Sequence, residues 1–155
     1  MQRAEALQPL SRDHKSGLMT CLLIRKGVSK HAPVEVIADF FLTCWREEIE
    51  PHFAREEEIL IPLLNKFPQG KLFAETILRD HELIRTGVVH LEQHALNERL
   101  LDDLANQLEQ HIRYEERLVF QEMQSFIPSM ELAKIHFIEN DHPAVCNNYP
   151  NRFWE

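Results

Sequence analysis

The chain has 155 residues, 44% hydrophobic and 27% charged, enough for one soluble globular domain and unlike a disordered, collagenous or low-complexity chain. Its net charge of −8 argues against a nucleic-acid phosphate backbone as partner; no apolar run approaches the ~20 residues of a membrane helix, and the N-terminal MQRAEALQPLSRDHK lacks a secretory signal's apolar stretch, so a cytoplasmic protein is expected. Three widely spaced cysteines with no CxxC pair indicate neither a disulfide framework nor a cysteine zinc site, and four glycines without a GxGxxG or GxxxxGK(S/T) pattern argue against β-sandwich and nucleotide-binding folds.

Punctuation predicts four long helices. The first runs from Leu10 to Lys26 and stops near Gly27; the linker GVSKHAP leads to Pro33, suited to a first helical turn. The second runs from Pro33 to about Asn65 and ends in the loop from Lys66 to Gly70. The third spans about Lys71 to Ala95. The fourth follows a turn at Asn97 and reaches about Ile127, where Pro128 breaks it. A short helix from Met130 to Ile138 is expected next, then an irregular tail with Pro143 and Pro150 that packs back through Phe153 and Trp154. The organisation predicted is an all-α, up-down-up-down four-helix bundle over 1–138 with a tail over 139–155.

Apolar residues recur at 3,4 spacing, marking one buried face per helix. The third helix reads Phe73, Ile77, His81, Ile84, Val88, Leu91, Ala95; the fourth reads Leu101, Leu104, Leu108, His111, Glu115, Leu118, Glu122. The second gives Ile37, Phe41, Cys44, Glu48, His52, Glu56, Ile59, Leu63, and the first gives Leu10, His14, Gly17 or Leu18, Cys21, Ile24, Val28. Every stripe therefore carries one histidine. At 1.5 Å per residue, His81 and His111 both lie roughly 20 Å from the turn that joins their helices, so they face each other. His52 and His81 differ by roughly 5 Å in level. His14 and His52 match least well, and Pro51, which bends the second helix, accounts for part of that offset.

Taken singly, each of these residues has an ordinary reading: a core histidine with a hydrogen bond, or a glutamate in a solvated run such as Glu56-Glu57-Glu58. Jointly they do not. Unpaired imidazoles and carboxylates are costly to bury and are normally paired, protonated or metal-bound. His14, His52, Glu56, His81, His111 and Glu115 supply four imidazoles and two carboxylates able to bridge, and the HxxxE spacing puts a histidine and a glutamate on one face, one turn apart. Mixed imidazole and carboxylate ligands suit iron or manganese, with zinc also compatible.

The motifs SRDHK, PHFAREEEILIPLL, RDHELI and HIRYEERLVF resemble, in order and spacing, the hemerythrin-like HHE cation-binding domain across about residues 10 to 127. The resemblance implies a bundle around a non-heme di-iron centre, with Glu56 and Glu115 bridging, His14 and His52 on one iron and His81 and His111 on the other. Oxygen-carrying hemerythrins have a second histidine one turn after the third-helix ligand. Arg85 stands there in this chain, and a guanidinium cannot ligate iron. One coordination position is then vacant or filled by water, Arg85 pairs with a carboxylate or a bound anion, and reversible oxygen carriage is not implied. Glu48 reads either as an extra ligand or as the partner of Arg85 or a lysine, and Glu116 is the alternative to Glu115.

The expected function is a di-iron protein that binds oxygen, nitric oxide or peroxide for sensing, storage or stress response. The rival readings are a di-iron oxidoreductase, an iron donor for cluster repair, and a bundle whose metal is structural and whose role is interaction. Phe153 and Trp154 serve equally well to cover the bundle end or to join a homodimer. Because a ligating imidazole must be deprotonated, metal loss is expected as pH falls below about 6.

Overall fold

A computed structural model describes residues 2–93, 97–137 and 143–155. Four long helices dominate it: α1 (Gln8–Ser29), α2 (34–65), α3 (Lys71–Gln93) and α4 (98–126). Pro9 occupies the first turn of α1, where its missing N–H is harmless, and His31, in the left-handed region at φ 58°, ends the helix's exit turn. The Asn97 side chain caps α4 by accepting the Leu100 N–H at 2.7 Å. Helix α1 packs on α4 and α2, and α3 packs on α4 and on the end of α2. This is the expected all-α bundle. The third helix is described to Gln93, so the predicted end at Ala95 lies outside the described residues. No described helix is long and apolar enough to cross a membrane.

Neither α2 nor α4 is a regular α-helix. Helix α2 contains π turns at Trp45–Ile49 and Glu56–Leu60, and α4 contains one at Glu115–Val119. Each π turn in α2 ends two residues before a proline, Pro51 or Pro62, whose absent N–H and bulky ring disfavour regular hydrogen bonding to the preceding turn. The extra residue in a π turn rotates everything beyond it, which corrects the predicted stripes. After Glu115 the buried residues are Val119, Phe120 and Met123, whereas Leu118 is 42% exposed and Glu122 is exposed. After Glu56, Leu60 and Leu64 are fully buried beside Leu63, and Ile59 is only half-buried. The first π turn likewise buries Trp45 and Ile49 and leaves Glu48 half-buried.

Two further expectations are corrected. The short helix forecast from Met130 to Ile138 is one turn, α5 (Ser129–Leu132). Leu132 and Phe137 are both buried, and five residues apart on a helix they would point about 140° from each other, so the chain leaves the helix to seat both. Ile138 lies outside the described residues. The tail is not wholly irregular, since Val145–Asn148 forms a one-turn helix, α6. Its aromatics do pack back: Tyr149, Phe153 and Trp154 surround the Phe40 ring at centroid distances of 5.1, 5.3 and 5.4 Å.

The core has two apolar parts. One holds Ile24, Phe40, Phe41, Ile84 and Leu104 with the tail aromatics; the other holds Leu10, Leu60, Leu64, Ile77, Phe120 and Met123. Gly70 closes the loop into α3 against the end of α2, and a Cβ there would sit 2.1 Å from the Leu64 carbonyl oxygen. Backbone cannot yield as a side chain can, so Gly70→Ala should destabilise the protein by roughly 1–3 kcal/mol in chemical denaturation; an unchanged midpoint would show that the loop relaxes freely.

Candidate metal centre

Between the two apolar cores the four helices turn polar residues inward. His14 comes from α1, His52 and Glu56 from α2, His81 from α3, and His111 and Glu115 from α4; all six are buried. The two glutamates join the four helices. Glu56 Oε2 lies 3.3 Å from His52 Nε2, while its Oε1 lies 3.0 Å from His81 Nε2 and 3.8 Å from His111 Nε2. Glu115 Oε1 lies 2.9 Å from His14 Nε2, and its Oε2 lies 3.5 Å from His111 Nε2. The imidazoles pair symmetrically: His14 with His52 and His81 with His111, both at centroid distances of 4.9 Å. Two overlapping groups result, each able to hold a metal ion: His14, His52, Glu56 and Glu115, and Glu56, His81, His111 and Glu115.

The donor atoms fit a metal better than they fit one another. The Nε2 atoms of His14, His52 and His111, Glu56 Oε2 and both Glu115 oxygens are buried without a hydrogen-bond partner, although their neighbours lie close. Buried polar atoms are normally bonded. Lone pairs that converge without aligning for hydrogen bonds are what a coordinated cation requires. The electrostatics agree. Burial pushes Glu56 up, but His52, His111 and His81 outweigh it and hold the carboxyl well below its usual range. Burial and the nearby Glu56 push Glu115 up, because two carboxylates this close resist joint ionisation.

Four carboxylates outside this cluster form a ring that the sequence did not announce; among them is Glu116, the alternative to Glu115, which is in neither donor group. Asp13 of α1 faces His52 Nδ1 at 2.8 Å, Glu57 of α2 faces His81 Nδ1 at 2.6 Å, Asp80 of α3 faces His111 Nδ1 at 3.1 Å, and Glu116 of α4 faces His14 Nδ1 at 3.4 Å. Each helix thus sets a carboxylate beside the histidine of the next; at His52, His81 and His111 the Nδ1 is hydrogen-bonded to it, which turns Nε2 inward, whereas His14 Nδ1 makes no hydrogen bond. Burial pushes Asp13 up, but His52 and Arg55 outweigh it and lower the carboxyl below its ordinary value. Glu57 is lowered in the same way by Arg85 and His81, and Glu116 by His14, Ser11 and Arg3.

The remaining sequence candidates take ordinary places. Arg85 donates to Glu50 at 3.2 Å and to Glu57 at 2.7 Å, the carboxylate pairing expected of it, with its guanidinium 5.9 Å from the Phe53 ring centre. Glu48 is in neither metal-holding group and pairs with neither Arg85 nor a lysine; it accepts the Val145 N–H at 2.8 Å. Tyr114 packs edge-on against Phe73, an interface aromatic. Cys21 and Cys44 are buried, and burial pushes both thiols up to about 12. His31, His90 and His136 are exposed, and His94 and His142 lie outside the described residues.

Compared with known protein families, the chain matches the Hemerythrin HHE cation binding domain over residues 6–123. No curated protein and no solved structure matches it.

Proposed function

The chain belongs to the Hemerythrin HHE cation-binding domain family, and from that premise we propose that it is a non-heme di-iron protein that binds oxygen, nitric oxide or peroxide for sensing, storage or stress response. In this reading His14, His52, His81 and His111 are the imidazole ligands, and Glu56 and Glu115 are shared between the two irons. The observation that carries it is the pair of donor groups built on the same two glutamates, with inward atoms that find no hydrogen bond. Bound iron would supply the redox chemistry and an open position for the ligand. The protein supplies the rest: apolar cores above and below the site, carboxylates that hold Nδ1 of His52, His81 and His111, and Arg85, held by Glu50 and Glu57, in place of a further ligand. Mixed nitrogen and oxygen donors favour iron or manganese over a thiolate-seeking metal.

A second reading, an oxidoreductase acting on oxygen or peroxide, draws support from the polar side chains Asp13, Thr20 and Glu48 in the cavity beside His14 and His52. Steady turnover of peroxide would favour it over simple binding. The deciding experiment is metal analysis of anaerobically purified protein, with visible spectra before and after oxygen. About two irons per chain and a new oxygen-dependent band are expected. Zinc, or a spectrum indifferent to oxygen, would overturn the di-iron reading and favour a structural metal.

The carboxylate ring makes its own prediction. Asp80→Asn keeps size and shape but weakens the hold on His111 Nδ1, so metal affinity should fall about 10–100-fold in competition with a coloured chelator. Affinity equal to the parent's would mean that Asp80 merely solvates the helix face.

A further inference from the structure

We propose that Glu48 is a positioning residue: it seats the C-terminal segment as one wall of a ligand chamber, and its bond to Val145 governs how readily small molecules reach the His14–His52 half of the site. The inference rests on the metal-binding reading above. A cavity of about 170 Å3 lies among α1, α2, α4 and the tail, and its lining extends from His14, His52 and His111 to Thr20, Glu48 and Ala144. The tail therefore contributes wall to the same space as the ligand histidines. Ala144 is extended, at φ −58° and ψ 140°, and Val145 opens the one-turn helix α6. An N–H in a first helical turn has no partner within its own helix. Glu48, half-buried within the π turn of α2, supplies the acceptor at 2.8 Å. Farther along, the Tyr149 hydroxyl donates to Asp39 and the aromatics pack on Phe40. Those contacts hold the distal tail, whereas the Glu48–Val145 bond fixes the part next to the cavity.

Cys44 reports on this seat. It is fully buried four residues before Glu48, in the apolar cluster that also holds Val145 and that Cys146 packs against. Cys21, equally buried in the same cluster, lies on α1 one turn before Arg25, which pairs with Glu109 of α4. Val145→Pro deletes the donor, because residue 144 already has the backbone that precedes proline and the first helical position accepts its ring, but it also alters a buried core side chain, a loss that Val145→Ala, which keeps the N–H, measures separately. Glu48→Leu deletes the acceptor; Glu48→Gln keeps an acceptor without the charge. The full-length protein, as purified, is treated with a thiol reagent and the labelled cysteines are identified by peptide mass.

Val145→Pro and Glu48→Leu should raise Cys44 labelling by about tenfold or more, with Glu48→Gln between them and the parent and Cys21 unchanged. In iron-loaded protein the same two variants should take up azide faster. Unchanged Cys44 labelling in both, or an equal rise at Cys21 that signals general loosening, would overturn the proposal. So would faster Cys44 labelling with an unaltered azide rate. Faster Cys44 labelling with no azide band in any form, parent included, would uphold the seat and overturn the metal reading.

Discussion

If the two donor groups each hold a metal, Glu56→Ala should remove both at once, taking the content from about two per chain to near zero, whereas His81→Ala should leave about one. The difference follows from reach. Glu56 places one oxygen 3.3 Å from His52 and the other 3.0 Å from His81, so it belongs to both donor groups. His81 belongs to one. Losing the glutamate also leaves His52, His81 and His111 without the carboxylate they share, and buried groups stripped of a charged partner are among the costliest features in a fold. Glu56→Gln provides the control for shape, since it fills the same space and forfeits only the charge and part of the donor strength; it should retain less metal than His81→Ala. Cys21→Ala, in the core away from the donors, should keep the parent's full content. Metal analysis after exhaustive dialysis checks all four, with circular dichroism to show that the helices persist. Two metals retained in Glu56→Ala would remove Glu56 from the site.

The six inward residues were legible because a histidine or glutamate on a 3,4 stripe is a local signal that needs no tertiary knowledge. His81 between Ile77 and Ile84 is the plainest case. What the stripe could not convey was the phase of α2 and α4 beyond the site. Pro51 and Pro62 hinted at irregularity in α2, but α4 has no proline near Glu115–Val119, so its π turn left no mark in composition and the stripe was extended to Leu118 and Glu122 in error. The four outer carboxylates were hidden for another reason. Asp13, Glu57, Asp80 and Glu116 each stand directly beside an inward residue in the chain, and a step of 100° carries them to the seam with the next helix, where their histidine waits. In sequence Asp13 and Asp80 carry no inward signal, Glu57 falls in a solvated run, and Glu116 reads as the alternative to Glu115. Neither reading of Glu48, extra ligand or partner of Arg85 or a lysine, matches its place, since its partner belongs to a single turn of helix in the tail, too short for any periodicity to announce.

With metal at these imidazoles, the stabilisation it confers should grow as pH rises from 6 to 9, and its loss in acid should begin above the pH of about 6 expected from free imidazole. Burial alone would lower the pKa values of His52 and His111, but in the metal-free chain carboxylates outweigh it: Glu56 with Asp13 at one, Glu115 with Asp80 at the other, pushing both up to about 10. The unfolded chain holds them near 6.5. A pKa raised by folding stabilises the fold fully below the unfolded value, and that contribution disappears as pH rises through about 10. The stripped protein therefore gains nothing from these groups on going from pH 6 to 9, and loses some of their contribution. Metal reverses the dependence. Each imidazole must give up its proton to bind, so loading releases protons, and affinity rises about tenfold per pH unit for every proton displaced. The gap in melting temperature between loaded and stripped protein should consequently widen steadily from pH 6 to 9, and an indicator dye in weak buffer should register proton release on loading at pH 7.5. A gap that stays constant or narrows would mean that metal binds somewhere other than these imidazoles.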